Sequence, residues 1–210
     1  MTADTDAHVI DDDAAVRDSI EFLLRSARLT VRTYDSAAAF LDALPAIRSG
    51  CIITDVRMPG ISGIDLLRRL KEMRVQLPVI VITGHGDVPL AVEAMKFGAA
   101  DFLEKPFDDE VLLASVRSAL DRSEASAALE TERAEIRARI ATLTHREREV
   151  LDGLIAGHPN KIIAADLGIS QRTVENHRAS IMKKTGAKSL PALARLAMAA
   201  ASEPAGKSFD

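Results

Sequence analysis

The feature that most constrains this chain is a set of short apolar runs, each ending in a polar residue beside a turn signal. The clearest are Cys51-Ile52-Ile53-Thr54-Asp55 and Pro78-Val79-Ile80-Val81-Ile82-Thr83. Runs this short, apolar on both sides and rich in β-branched residues, read as strands buried on both faces. His8-Val9-Ile10, residues 30–34 and Asp101-Phe102-Leu103-Glu104 add three more. Between them lie stretches of helical periodicity. Val16, Ile20, Leu23 and Leu24 mark residues 14–28. Ser36 caps a helix stopped by Pro45, and Ser62 caps one carrying Ile64, Leu66, Leu67 and Leu70. Residues 88–97 form a fourth helix ended by Gly98, and a fifth starts near Asp108. Five strands alternating with five helices predict an α/β, doubly wound, five-stranded parallel sheet.

In such a sheet the carboxyl ends of the strands share one edge, and ligands bind in the crevice beyond it. That edge collects Asp11 and Asp12 after the first strand, Asp55 after the third, Thr83 after the fourth and Lys105 after the fifth. Crowded carboxylates repel one another unless a cation lies among them. A hard ion suits oxygen donors, which points to Mg²⁺, and the chain has no Cys-x-x-Cys for zinc. A carboxylate beside Mg²⁺ and a lysine can accept a phosphoryl group, with Thr83 and Lys105 as donors to its oxygens. Asp13 is read as a helix cap, and His85 as a loop residue at the mouth of the site. Neither a Gly-x-x-x-x-Gly-Lys nor a Gly-x-Gly-x-x-Gly loop supports nucleotide binding.

The second half differs in charge. Residues 1–125 hold 14 Lys and Arg against 21 Asp and Glu, whereas residues 140–201 hold 9 against 5. An acidic front and a basic back predict two domains with different partners, the basic one suited to nucleic acid. Residues 123–139 lack Pro and Gly and alternate Glu with Arg, which predicts a solvated helical linker, free to continue the fifth helix; Leu129, Ile136 and Ile140 leave a dimerisation seam as the alternative. Thr144 and Glu147 form a capping-box pattern, and Asn160 is expected to cap a short helix ending at Gly168. Ser170 then caps a longer helix ending at Gly186, and a final helix covers residues 189–200. A short helix, a turn containing Gly and a longer helix are the helix-turn-helix layout. The longer helix carries Arg172, Thr173, Asn176, His177, Arg178 and Lys184, suited to a major groove, with Val174 and Ile181 inward. Lys161 and Lys188 lie at helix starts, where phosphate contact is natural. His145 and His158 are read as surface residues.

The five strand-end positions together resemble the receiver domain of two-component response regulators, over about residues 6–122. Val81-Ile82-Thr83-Gly84-His85-Gly86-Asp87-Val88-Pro89 and Lys105-Pro106-Phe107 are similar to the FixJ branch. Residues 143–198 resemble the LuxR-type helix-turn-helix domain. The motifs are Leu143-Thr144-x-Arg146-Glu147-Arg148-Glu149-Val150-Leu151, Asn160-Lys161-x-Ile163-Ala164 and Arg172-Thr173-Val174-Glu175-x-His177-Arg178. Together they imply a regulator of the NarL/FixJ type: a CheY-like receiver at 1–122, a linker at 123–139, an all-α DNA-binding domain at 140–201 and a tail at 202–210.

The resemblance implies phosphorylation of Asp55 by a sensor histidine kinase. It implies Mg²⁺ held by Asp11, Asp12, Asp55 and the backbone carbonyl of Arg57, and a switch made by Thr83 and Phe102. It also implies a cis Lys105–Pro106 bond, with Glu147 and Arg148 structural. Dimerisation on phosphorylation, promoter DNA and RNA polymerase follow as expected partners. A Mg²⁺ phosphohydrolase is the enzymatic alternative, but Arg57 stands where its second Asp would be. A docking module blind to phosphate would have no need for the metal ligands. No run approaches the ~20 apolar residues of a membrane span, so a cytoplasmic protein is expected. Cys51, alone, is read as a buried structural thiol.

Overall fold

The computed structural model of the protein describes residues 6–84 and 88–201. His85 and the tail at 202–210 lie outside the described residues. Two compact units emerge, Met1–Ala125 and Ser126–Asp210.

In the first unit the strands are β1 (Ala7–Ile10), β2 (Val31–Tyr34), β3 (Cys51–Asp55), β4 (Val79–Thr83) and β5 (Asp101–Glu104). They form one parallel sheet in the order β2-β1-β3-β4-β5. The helices are α1 (Ala14–Ser26), α2 (Ala37–Ala43), α3 (Gly63–Glu72), α4 (Val88–Phe97) and the start of α5 (Asp109–Ala141). Alternation along each strand sends successive side chains to opposite faces. Ile10, Ile52, Val79 and Val81 meet Phe40 of α2, Leu66, Leu67 and Leu70 of α3, and Ala94 of α4. Val9, Cys51, Ile53, Ile80 and Ile82 meet Ile20 and Leu24 of α1, and Leu112, Val116 and Ala119 of α5. Both faces are covered, which is why the central strands read as unbroken apolar runs.

The caps follow the sequence with small corrections. Asp13, Ser36 and Ser62 each cap a helix by accepting a backbone N–H. α1 stops at Ser26, two residues short of the expected end, because Arg28 adopts φ 66°, outside the helical region. α2 gives way to a 3-10 turn, Leu44–Ala46, around Pro45. The helical linker expected after the receiver is part of α5 as far as Ala141. The Lys105–Pro106 peptide bond is cis.

The second unit packs α6 (His145–Ile155), α7 (Asn160–Leu167), α8 (Gln171–Thr185) and α9 (Leu190–Ala201). Its core joins Val150, Leu151 and Leu154 of α6, Ile163 of α7, Val174 and Ile181 of α8, and Leu193 of α9. Thr144 and Glu147 complete both halves of the capping box. Asn160 does not cap α7; Pro159 stands at that position and offers no side-chain acceptor. Gly168 and Gly186 end α7 and α8 in the left-handed conformation that glycine tolerates. Among the described residues no helix is long and apolar enough to cross a membrane.

Candidate functional site

The strand order reverses direction about β1. β2 lies on one side of it and β3 on the other, so a crevice opens at their carboxyl ends. Asp11 follows β1 and Asp55 ends β3. Lys105, just past β5, reaches both: its Nζ donates to Asp11 Oδ2 at 2.8 Å and to Asp55 Oδ1 at 2.7 Å. The second oxygen of each carboxylate accepts from the backbone two residues on, Asp13 N at 2.9 Å and Arg57 N at 2.6 Å. Each carboxylate is thus held at both oxygens, once by the chain just after it and once by a distant ammonium. Asp11 is 3% exposed, and these donors satisfy its oxygens in place of water. Burial opposes the charged form of Lys105, but its bonds to Asp11 and Asp55 outweigh this and raise its pKa.

The remaining candidates lie around this pair. Asp12 is exposed and lines a cleft of about 720 Å³ with Arg57, Met58, Ser62 and Asp65. Thr83 is fully buried at the end of β4, and its carbonyl accepts from Lys105 N at 2.7 Å. Phe102 is half-buried against the α2–α4 face of the core. Asp11, Asp55 and Lys105 are therefore joined directly, while Asp12 stands at the rim. No group of three or more His, Cys, Asp or Glu converges on one point among the described residues. Mg²⁺ needs only one or two carboxylates and completes its shell with water, so this all-oxygen donor set fits it.

Two residues that shape the site were not picked out from the sequence. Arg17 Nη1 donates to the backbone carbonyl of Asp11 at 2.6 Å. Gly63 begins α3 so close to β3 that a Cβ there would lie 2.2 Å from the Asp55 carbonyl oxygen. Arg17 looks like any charged residue on a helix surface. A glycine just after the Ser62 cap is the one signal that could have marked Gly63.

In the second unit α8 presents Arg172 and Asn176 to solvent, with Thr173, His177 and Arg178 half-buried. Lys161 near the start of α7 and Lys188 before α9 are exposed. Ser170 caps α8 and contacts Thr173 Oγ1 at 2.8 Å. Lys184 is bonded within the domain: its Nζ donates to Glu147 Oε2 at 2.7 Å. Arg148 donates to the Ala141 carbonyl at 3.0 Å. His145 is exposed and forms an i,i+4 contact with Glu149.

Comparison with known families matches the response regulator receiver domain to residues 7–117 and the luxR family of bacterial regulatory proteins to residues 141–197. The chain belongs to the response regulators of luxR type. Among curated proteins it is 59% identical over 198 residues to the transcriptional regulatory protein FixJ of Azorhizobium caulinodans, covering 94% of each chain. It is 54% identical over 200 residues to FixJ of Bradyrhizobium diazoefficiens, covering 95% of this chain and 98% of that protein. Among solved structures, response regulator StyR superimposes with a TM-score of 0.84 at 39% identity, covering 93% of this chain and 99% of that one. This response regulator is thus a phosphorylation-dependent transcriptional regulator with a DNA-binding domain, and not an enzyme. The receiver family binds Mg²⁺ at its phosphorylation site.

Proposed function

We propose that Asp55 is the phosphoacceptor and that its phosphorylation by a sensor histidine kinase controls DNA binding. The observation that carries this reading is the single ammonium of Lys105 shared by Asp55 and Asp11. An Asp55 oxygen attacks the phosphorus of a phosphohistidine, the P–N bond breaks, and an acyl phosphate forms. Lys105 then offsets added negative charge at the oxygen it already contacts. Asp11, Asp12, Asp55 and the Arg57 carbonyl would hold Mg²⁺, which supplies charge neutralisation at the phosphoryl oxygens. Thr83 reports the phosphoryl group from the end of β4, and Phe102 on β5 moves with it.

The receiver is taken as residues 1–122, the linker as 123–139, the DNA-binding domain as 140–201 and the tail as 202–210. On α4, Val88, Val92 and Met95 follow i, i+4, i+7 spacing and are 73%, 47% and 53% exposed. An apolar stripe in water is suited to a partner. A second copy of the α4–β5 face would cover it, giving a homodimer on phosphorylation. Two linked DNA domains then bind promoter DNA through effective concentration, with RNA polymerase as the downstream partner. Lys161, Arg172, Thr173, Asn176, His177, Arg178 and Lys188 are the expected DNA contacts. The protein is assigned to the cytoplasm, where such a kinase and promoter meet.

The test is mass by light scattering with and without a beryllium fluoride–Mg²⁺ phosphate mimic, on wild type and Asp55→Ala. A monomer-to-dimer shift in wild type alone is expected. The same shift in Asp55→Ala would overturn the assignment of the acceptor.

A further inference from the structure

Glu147 is a carboxylate inside a small helical domain, 4% exposed, and its surroundings explain how it is tolerated. Its Oε1 accepts from Ser180 Oγ at 2.6 Å. Its Oε2 accepts from Lys184 Nζ at 2.7 Å and from Thr144 N at 2.7 Å. One residue therefore closes the cap of α6 and grips α8 at two positions a turn apart. The rest of the α6–α8 contact is apolar, through Val150, Leu151, Val174 and Ile181. Apolar contact is non-directional and leaves rotation about the helix axis weakly specified. Charge-assisted hydrogen bonds have direction and fix that rotation.

We infer that Glu147 is a positioning residue for DNA recognition, setting the rotation of α8 through Ser180 and Lys184, and that Lys184 acts inside the domain and not on a DNA phosphate. This rests on the reading of α8 as the helix that meets DNA. If the Lys184 ammonium were drawn off Glu147 onto a phosphate, it would strand a buried carboxylate with its strongest donor gone, and an unpaired buried charge is the costlier state. Lys184, and Ser180 after it, also hold the Glu147 carboxyl down to about 2, so the pair stays ionised at any pH where DNA is bound. Lys161, Lys184 and Lys188 are all exposed, but Lys161 and Lys188 stand at helix starts, where phosphate contact displaces no bond of this kind.

The full chain, activated with the beryllium fluoride–Mg²⁺ phosphate mimic, is titrated with a fluorescein-labelled mixed-sequence duplex over a series of salt concentrations, as wild type, Glu147→Gln, Lys184→Met, the double variant and Ser180→Ala. A lysine on a phosphate contributes about one unit to the slope of log affinity against log salt. Lys184→Met is expected to bind about tenfold more weakly at an unchanged slope. In the Glu147→Gln background the same substitution is expected to cost nothing further, because the partner has already gone. Ser180→Ala is expected to weaken binding in the same direction at unchanged slope. A slope lowered by about one in Lys184→Met overturns the inference, as does an equal loss in both backgrounds. If Lys184→Met alone does not fold, the double variant against Glu147→Gln gives the same comparison, since neither leaves a charge buried alone. A wild-type chain that fails to bind the duplex overturns the reading of α8 and this inference with it. A slope change confined to Lys184→Met overturns the inference alone.

Discussion

Lys105 and Asp55 are fifty residues apart in the chain, and their charged atoms lie 2.7 Å apart. The same ammonium holds Asp11 at 2.8 Å, so one cation bridges two carboxylates that would otherwise repel more strongly, and offsets half of their charge. Lys105→Met should therefore cost ~1–3 kcal/mol in Mg²⁺-free buffer, discounted for the partial exposure of the lysine. Added Mg²⁺ should restore part of the loss and raise the variant's urea midpoint more than the wild type's. Equal Mg²⁺ responses would show that the carboxylates do not share the two cations.

Gly63 should be intolerant of even one methyl group. Its Cβ would meet the backbone oxygen of Asp55, which cannot swing aside as a side chain can. Gly63→Ala is expected to lose ~1–3 kcal/mol and to take up phosphoryl more slowly from a small acyl-phosphate donor. Wild-type uptake in a destabilised variant would mean the strand end does not move.

His8 carries a prediction about protons. Its Nε2 lies 3.1 Å from the Ser49 carbonyl, which can only accept, so Nε2 bears the hydrogen and Nδ1 accepts from the Tyr34 hydroxyl at 3.3 Å. Burial above all, with Arg32 adding to it, lowers the His8 pKa against the opposing Ser49 bond. Stability from the neutral ring is complete above the ordinary value of ~6.5 and is lost as pH falls through the lower folded value. Urea midpoints at about pH 7.5 and about pH 5 should differ less in His8→Gln than in wild type. Nitrogen chemical shifts of the ring would report the tautomer, and an Nδ1-protonated ring would contradict the assignment.

Glu147 acts at a lower pH. Its carboxyl is held at about 2, chiefly by Lys184, against an ordinary value of 4.5. Its contribution is full above about 4.5 and disappears as pH falls toward about 2. The thermal midpoint of Glu147→Gln should lie below wild type at neutral pH, and the gap should narrow on acidification through that window. A constant gap would place the effect in packing and not in charge.

Cys51 is fully buried in β3, and burial pushes its thiol up to about 12. It should react with a disulfide reagent only as fast as the receiver unfolds. Rapid labelling under native conditions would contradict its placement.

The sheet was readable because its strands are buried on both faces, which leaves short apolar runs with turn residues at each end. Asp11, Asp55 and Lys105 stood out because each interrupts such a run at the same end. Arg17 and Gly63 were not readable in that way, since their roles depend on backbone atoms of another element. Lys184 shows the limit most clearly. On a helix wheel it is one more cation on a basic surface, and only the folded position of Glu147, 37 residues earlier, shows that it is paired within the domain. Pro159 in place of Asn160 at the α7 cap is a one-residue error of the kind expected at helix ends.

The contact between Lys105 and Asp11 spans 94 residues. During synthesis the ribosome delivers Asp11, Asp12 and Asp13 first and Asp55 much later, and the lysine that counters them comes with the last strand. A nascent receiver therefore carries its acidic groups without their protein counter-ion until β5 is in place. The assembled site is in effect a signature that the whole sheet has been made, and a chain stopped short of Lys105 would present no Lys105–Asp55 pair to a phosphate donor.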